Sequence, residues 1–96
     1  MRARQLFRYK GVQGEVTVEM VIWALPTATL ERPHGLKYRL YCGRNDECVV
    51  RYDNESGKGD HRHQGDVEEP YQFSSLDKLI VDFRADCVRL AGWRWE

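Results

Sequence analysis

The side chains that could do chemistry in this chain lie together between Tyr52 and His63. The segment reads YDNESGKGDHRH, with three carboxylates, two basic side chains, two imidazoles and two glycines within twelve positions. It has no apolar periodicity, so neither a core-facing helix nor a core-facing strand is predicted there. We therefore expect the rest of the chain to form a scaffold that holds this segment.

Two histidines of this segment, His61 and His63, are separated by one residue. In an extended segment both imidazoles would point to the same side. Such a pair could act as general acid and general base in phosphodiester cleavage, because histidine gains and loses a proton near neutral pH. The pair could instead bind a divalent metal with Asp53 or Asp60 as a third ligand, or simply lie on the surface.

Lys58 lies between Gly57 and Gly59. Glycines allow close approach of a ligand to the backbone, so this stretch could hold a phosphate on amide N–H groups and one ammonium. Its spacing is not that of a P-loop. A plain exposed loop is the alternative interpretation.

Two arginines, Arg39 and Arg62, could stabilise the charge on a reacting phosphate, because a guanidinium matches two phosphate oxygens. For Arg39 the alternative is a cross-strand ion pair with Glu19, Asp53 or Glu55. The carboxylates of Asp53 and Glu55 could in turn orient a histidine or pair with an arginine, which is the commoner role.

The remaining sequence predicts an α+β fold, an antiparallel meander of four to five strands with one C-terminal helix packed on one face. The predicted strands are residues 4–10, 15–25, 36–42 and 47–53, with a short fifth over 71–73. Residues 54–70 are predicted to be a functional loop, since long loops in small domains are often functional. The helix should span about 75–91, capped by Ser74 and ended by Gly92.

A single helix covers only one face of such a sheet. The alternating row Leu36, Tyr38 and Leu40 should lie under it. The opposite face would then be open and charged, and next to the start of the loop. Its expected substrate-binding residues are Lys37, Arg39, Arg51, Asp53 and Glu55.

Length and composition agree with one small domain of 96 residues. Acidic and basic residues balance at 15 each, so overall charge gives no argument for nucleic acid, although a local basic patch can exist. There is no apolar run of about 20 residues for a membrane span, and no signal peptide is predicted. Three cysteines without a C-x-x-C pair predict reduced thiols and a cytoplasmic protein.

Three stretches together resemble the TumE-like family of bacterial toxin–antitoxin toxins. They are residues 21–26, residues 34–40 and, as the most specific part, residues 52–63. The similarity runs over about residues 4 to 90. The resemblance implies a cytoplasmic toxin that is neutralised by a helix-turn-helix antitoxin.

The residues and the resemblance lead to one hypothesis, a small ribonuclease toxin that needs no metal or other cofactor. The 2′-hydroxyl of RNA can be the nucleophile, so the protein has only to position it, deprotonate it and stabilise charge. The predicted catalytic residues are Lys58, Asp60, His61, Arg62 and His63. A binding module that inhibits a target by occlusion is the alternative, and formation of a homodimer is left open. The hypothesis requires Arg39 to lie near His61.

Overall fold

The computed structural model describes residues 2–55, 57 and 59–96. Within these residues there are six strands and one helix: β1 (Arg4–Gln13), β2 (Val16–Ala24), β3 (Leu36–Arg44), β4 (Glu47–Asp53), β5 (His61–Gln64), β6 (Val67–Pro70) and α1 (Leu76–Ala91). The strands form one antiparallel sheet in chain order. The predicted α+β meander with one C-terminal helix is confirmed.

The sheet has more strands than predicted, because the expected loop over 54–70 contains β5 and β6. These strands are joined by a two-residue turn at Gly65 and Asp66, where Gly65 has a φ of 58°. The prediction missed them because their residues are mostly polar and β6 is exposed throughout, so no apolar alternation marks them. The predicted loop is therefore limited to the segment between β4 and β5, and residues 71–73 form no strand.

The turns and caps explain where the other elements end. Asn45 and Asp46, between β3 and β4, both have positive φ angles of 52° and 64°, the pattern of a tight type I′ hairpin. The helix is capped by Ser75, whose hydroxyl accepts from the Lys78 amide at 3.1 Å. Ser74 was therefore the wrong serine by one position. Gly92 ends the helix in the left-handed conformation, as expected.

The core lies between α1 and one face of β2, β3 and β4. Tyr38, Leu40 and Val50 are buried there against Phe83 of the helix, so the side chains predicted to lie under the helix do so. The C-terminal Trp93 is buried beside Gly11. Among the described residues, no helix is long and apolar enough to cross a membrane.

Candidate functional site

The face of the sheet away from α1 carries two cross-strand rows of side chains. The first row is Arg8, Val21, Arg39, Asp53, His61 and Pro70. The second row is Lys10, Glu19, Tyr41, Arg51, His63 and Glu68. Adjacent strands are about 4.8 Å apart, so the backbones at Arg39 and His61 are separated by about 10 Å. The sheet pairing thus brings three predicted substrate-binding residues, Arg39, Arg51 and Asp53, onto the same surface as the two histidines.

His61 is buried at the start of β5. Its Nε2 lies 2.8 Å from Asp53 Oδ1, and its Nδ1 lies 3.0 Å from the Gly59 carbonyl oxygen. Both neighbours are hydrogen-bond acceptors, whereas a neutral imidazole carries one N–H only. Both contacts are satisfied together when each ring nitrogen carries a proton, so this environment suits a proton donor.

His63 has the opposite environment. Arg51 donates from Nη2 to His63 Nε2 at 2.8 Å, which is closer than the Glu68 carboxylate oxygen at 3.5 Å, so that nitrogen acts as an acceptor towards Arg51. Burial and then the charge of Arg51 lower the pKa of His63 below its ordinary value of 6.5, although Glu68 opposes them. The rings of His61 and His63 lie on the same side, as predicted, with centroids 4.9 Å apart.

Arg51 links the Asp53–His61 pair to His63. Besides its contact with His63, it donates from Nε to Asp53 Oδ2 at 2.6 Å. We call Arg51, Asp53, His61 and His63 the histidine cluster. Sequence reasoning placed Arg51 and Asp53 with the substrate-binding residues. It allowed Asp53 to orient a histidine or to pair with an arginine, and Asp53 contacts both His61 and Arg51. It did not anticipate the contact between Arg51 and His63.

The histidine cluster also has the composition of a metal site. One ligand atom each from Asp53, His61 and His63 can be chosen so that all lie within 4.8 Å of one another. The guanidinium of Arg51, however, already contacts two of these three side chains. A divalent ion there would lie beside a positive charge and compete with it for the same lone pairs.

Arg62, predicted to be catalytic, lies on the other face of the sheet. It is paired with Tyr52 across β4 and β5 and contacts Asp86 of α1, with Nη2 to Oδ2 at 2.9 Å. The Tyr52 hydroxyl donates to the same Oδ2 at 2.6 Å. Burial raises the pKa of Asp86, but hydrogen bonds from Tyr52, Arg89 and Arg62 outweigh it and the pKa is lowered. Arg62 therefore joins the helix to the sheet, away from the histidine cluster.

Asp60, also predicted to be catalytic, is similarly occupied. Its carboxylate accepts from the Tyr38 hydroxyl at 2.6 Å and contacts His34 Nε2 at 3.1 Å. The His34 ring packs on Phe73 with centroids 4.0 Å apart. These contacts join Asp60, just before β5, to His34, just before β3.

The predicted phosphate-binding stretch is described only in part, because Lys58 lies outside the described residues. The backbone N–H of Gly57 donates to the Glu31 carboxylate at 2.9 Å. This amide therefore already holds an anionic group of the same chain.

The rest of the open face is concave. A groove of about 480 Å³ runs over β1–β3 and includes Lys10, Glu19, Arg39 and Tyr41. A smaller cavity of about 120 Å³ lies beside it, lined by Val21, Trp23, Lys37, Tyr38, Arg39 and Glu55. The structure thus places the predicted residues Lys37, Arg39 and Glu55 together, with Trp23, which sequence reasoning did not select.

Comparison with known proteins identifies the chain through one family. The family model described as toxin TumE matches residues 3–91. No curated protein and no solved structure gives a significant match. The matched region includes the whole sheet, the helix and the histidine cluster. The chain therefore belongs to the TumE toxin family, whose members are toxins of toxin–antitoxin systems and have an antitoxin as partner.

Proposed function

We propose that this toxin is a metal-independent ribonuclease whose reactive centre is the histidine cluster. The observation that carries the proposal is the contrast between two adjacent imidazoles: His61 faces two acceptors, and His63 faces a donor. Neighbouring imidazoles that meet acceptors in one case and a donor in the other are suited to be the acid and the base of one reaction.

The reaction is an internal transfer of the phosphoryl group. The 2′-hydroxyl of RNA attacks the adjacent phosphorus and gives its proton to His63 Nε2. The bond between phosphorus and the 5′-oxygen breaks, and His61 Nε2, which contacts Asp53 Oδ1 in the free protein, gives up that hydrogen bond and supplies a proton to the 5′-oxygen. The products are a 2′,3′-cyclic phosphate and a 5′-hydroxyl. The Gly59 carbonyl oxygen holds the His61 ring through Nδ1, and the carboxylate of Asp53 compensates the charge of the ring.

Arg51 has to change partners during this reaction, because it occupies His63 Nε2 in the free protein. A phosphate oxygen is a stronger acceptor for a guanidinium than a neutral imidazole is, since its hydrogen bond is charge-assisted. Substrate binding would thus draw Arg51 onto the phosphate and free the His63 lone pair. Arg39 lies next to Asp53 across the β3–β4 pair, where it can bind the phosphate from the other side.

The position of Arg51 also supports a reaction without metal. Its guanidinium already supplies a positive charge between Asp53 and His63, which is the charge a divalent ion would otherwise provide. RNA contains its own nucleophile, so a metal-bound hydroxide is not needed.

The test is cleavage of a defined RNA by the purified protein, with and without EDTA. We expect cleavage in EDTA, products ending in a cyclic phosphate, and losses of about 100-fold or more for His61→Ala and His63→Ala. His34→Ala removes an imidazole outside the cluster and is the matched control. Normal cleavage by both cluster variants would contradict the proposal, as would a requirement for a divalent metal.

A toxin that arrests growth but leaves RNA intact would instead act by occluding a target. Membership of a toxin family implies an antitoxin partner, and we propose that this partner is a cytoplasmic helix-turn-helix protein. Co-purification of the toxin with the product of the adjacent gene would test that assignment. The mass of the purified toxin in solution would establish whether it forms a homodimer.

A further inference from the structure

We propose that the cavity beside the first row is a binding pocket for a guanine base, which makes the toxin a guanine-selective ribonuclease. The inference rests on the proposed function for its biological meaning, although base binding can be measured separately. Four side chains carry the argument: Trp23, Lys37, Arg39 and Glu55, all of which line this cavity of about 120 Å³.

The walls of the cavity supply the three kinds of contact that a base requires. Trp23 and Lys37 are direct cross-strand partners on β2 and β3, so the indole borders the cavity beside a cation. Aromatic side chains bind unstacked bases by stacking, and sequence-specific RNA recognition uses such splayed bases. A flexible cation and a carboxylate, Lys37 and Glu55, add hydrogen-bonding groups of opposite type.

These groups match guanine better than the other bases. Guanine presents two adjacent donors, N1–H and the N2 amino group, which a carboxylate such as that of Glu55 can accept together. Its O6 and N7 atoms are acceptors, and lysine and arginine are their usual partners. Lys37 and Arg39 can serve these atoms from the other side of the cavity.

The other three bases each leave a mismatch. Adenine and cytosine have a lone pair beside their amino group, so one carboxylate oxygen of Glu55 would face an acceptor. Uracil offers a single N–H between two carbonyls. Glu55 is exposed in the free protein, so a base that covers it without pairing both carboxylate oxygens removes hydrogen bonds to water and does not replace them, and such unpaired polar groups discriminate strongly between similar ligands.

The position of the cavity relative to the histidine cluster is suited to cleavage next to a bound base. Arg39 belongs to both the cavity and the first row, and along that row Asp53 and His61 follow it. A base in the cavity would place its own ribose and 3′-phosphate between Arg39 and the histidine cluster. The expected cleavage position is therefore the bond on the 3′ side of guanosine.

The first experiment measures binding of the four ribonucleoside 3′-monophosphates to the wild-type protein by calorimetry. We expect 3′-GMP to bind about 10-fold more tightly than the other three, since a good bidentate contact favours the matching base by about this factor or more. Glu55→Gln should abolish this preference, and Trp23→Ala should weaken the binding of all four nucleotides. Glu19→Gln removes a carboxylate of the same face outside this cavity and is the matched control.

The second experiment maps cleavage positions in an RNA of mixed sequence. Enrichment of guanosine on the 5′ side of the cut, lost in Glu55→Gln but kept in Glu19→Gln, is the expected result. Equal binding of the four nucleotides would contradict the proposal that the cavity is a guanine pocket, whether or not RNA is cleaved. Selective binding of 3′-GMP without any cleavage would support the pocket and contradict the proposed ribonuclease activity.

Discussion

Arg51 and Arg62 provide the sharpest test of the site, because they lie on adjacent strands but serve opposite faces of the sheet. Arg51 contacts Asp53 and His63 on the open face. Arg62 contacts Asp86 under the helix. Replacing each by methionine removes the charge and keeps much of the side-chain length, so the two variants form a matched pair.

The expected magnitudes follow from burial. Arg62 and Asp86 are only 14% and 10% exposed, and breaking one partner of a buried pair costs about 3 kcal/mol or more. For a domain of this size the Tm should fall by about 12 °C or more in Arg62→Met. Arg51 is more exposed, and Asp53 keeps its contact with His61, so Arg51→Met should cost about 1–2 kcal/mol.

Activity should follow the reverse order. Removing a group that stabilises transition-state charge typically costs about 100-fold or more in rate, so Arg51→Met should lose at least that much RNA cleavage. Arg62→Met, assayed well below its Tm, should retain the wild-type rate within about twofold. Thermal melts by circular dichroism and cleavage rates per folded molecule would measure both quantities. A stable but inactive Arg62→Met protein would refute the assignment of Arg62 to the helix–sheet contact alone.

Three further predictions concern pH and stability. Because the pKa of His63 is lowered below 6.5, its neutral form persists to lower pH, and the rise of the cleavage rate with pH should have its midpoint below pH 6.5. Arg51→Met removes a charge that lowers this pKa, so the midpoint should move to higher pH in this variant. A midpoint that does not move would contradict the role of His63 as base. Asp60→Ala removes the acceptor of the Tyr38 hydroxyl and should lower the free energy of unfolding by about 2 kcal/mol, measured with urea, while the cleavage rate of the folded protein stays unchanged. Phe83→Ala empties a fully buried position and should cost about 3–5 kcal/mol; a loss below about 1 kcal/mol would show that the core can collapse around it.

Much of the fold was accessible from local sequence patterns. Alternating apolar residues predicted the first four strands, and the spacing of apolar residues with Gly92 predicted the helix. The strands β5 and β6 were missed because they are polar, although the Gly65-Asp66 pair is a recognised hairpin signal. Sequence patterns fail at a strand such as β6, because its exposed residues carry no apolar periodicity.

The candidate site was predicted in part. The sequence indicated that His61 and His63 share a side, and that Arg39, Arg51 and Asp53 share the open face. It gave the same weight to Asp60 and Arg62, which the structure places in contacts with Tyr38 and with Asp86. Their partners lie 22 and 24 residues away in the chain, and no short-range pattern encodes that distance.

The segment from Tyr52 to His63 shows what each level of information determined. By itself the sequence determined which side chains are available and, through the two-residue period of a strand, that His61 and His63 point the same way. The tertiary structure alone decided which side chains meet them. The β4–β5 register sets Asp53 opposite His61 and Arg51 opposite His63, and the position of α1 gives Arg62, on the other face, its partner Asp86. Register and helix placement depend on the burial of the whole core, so they become definite only when the chain is folded.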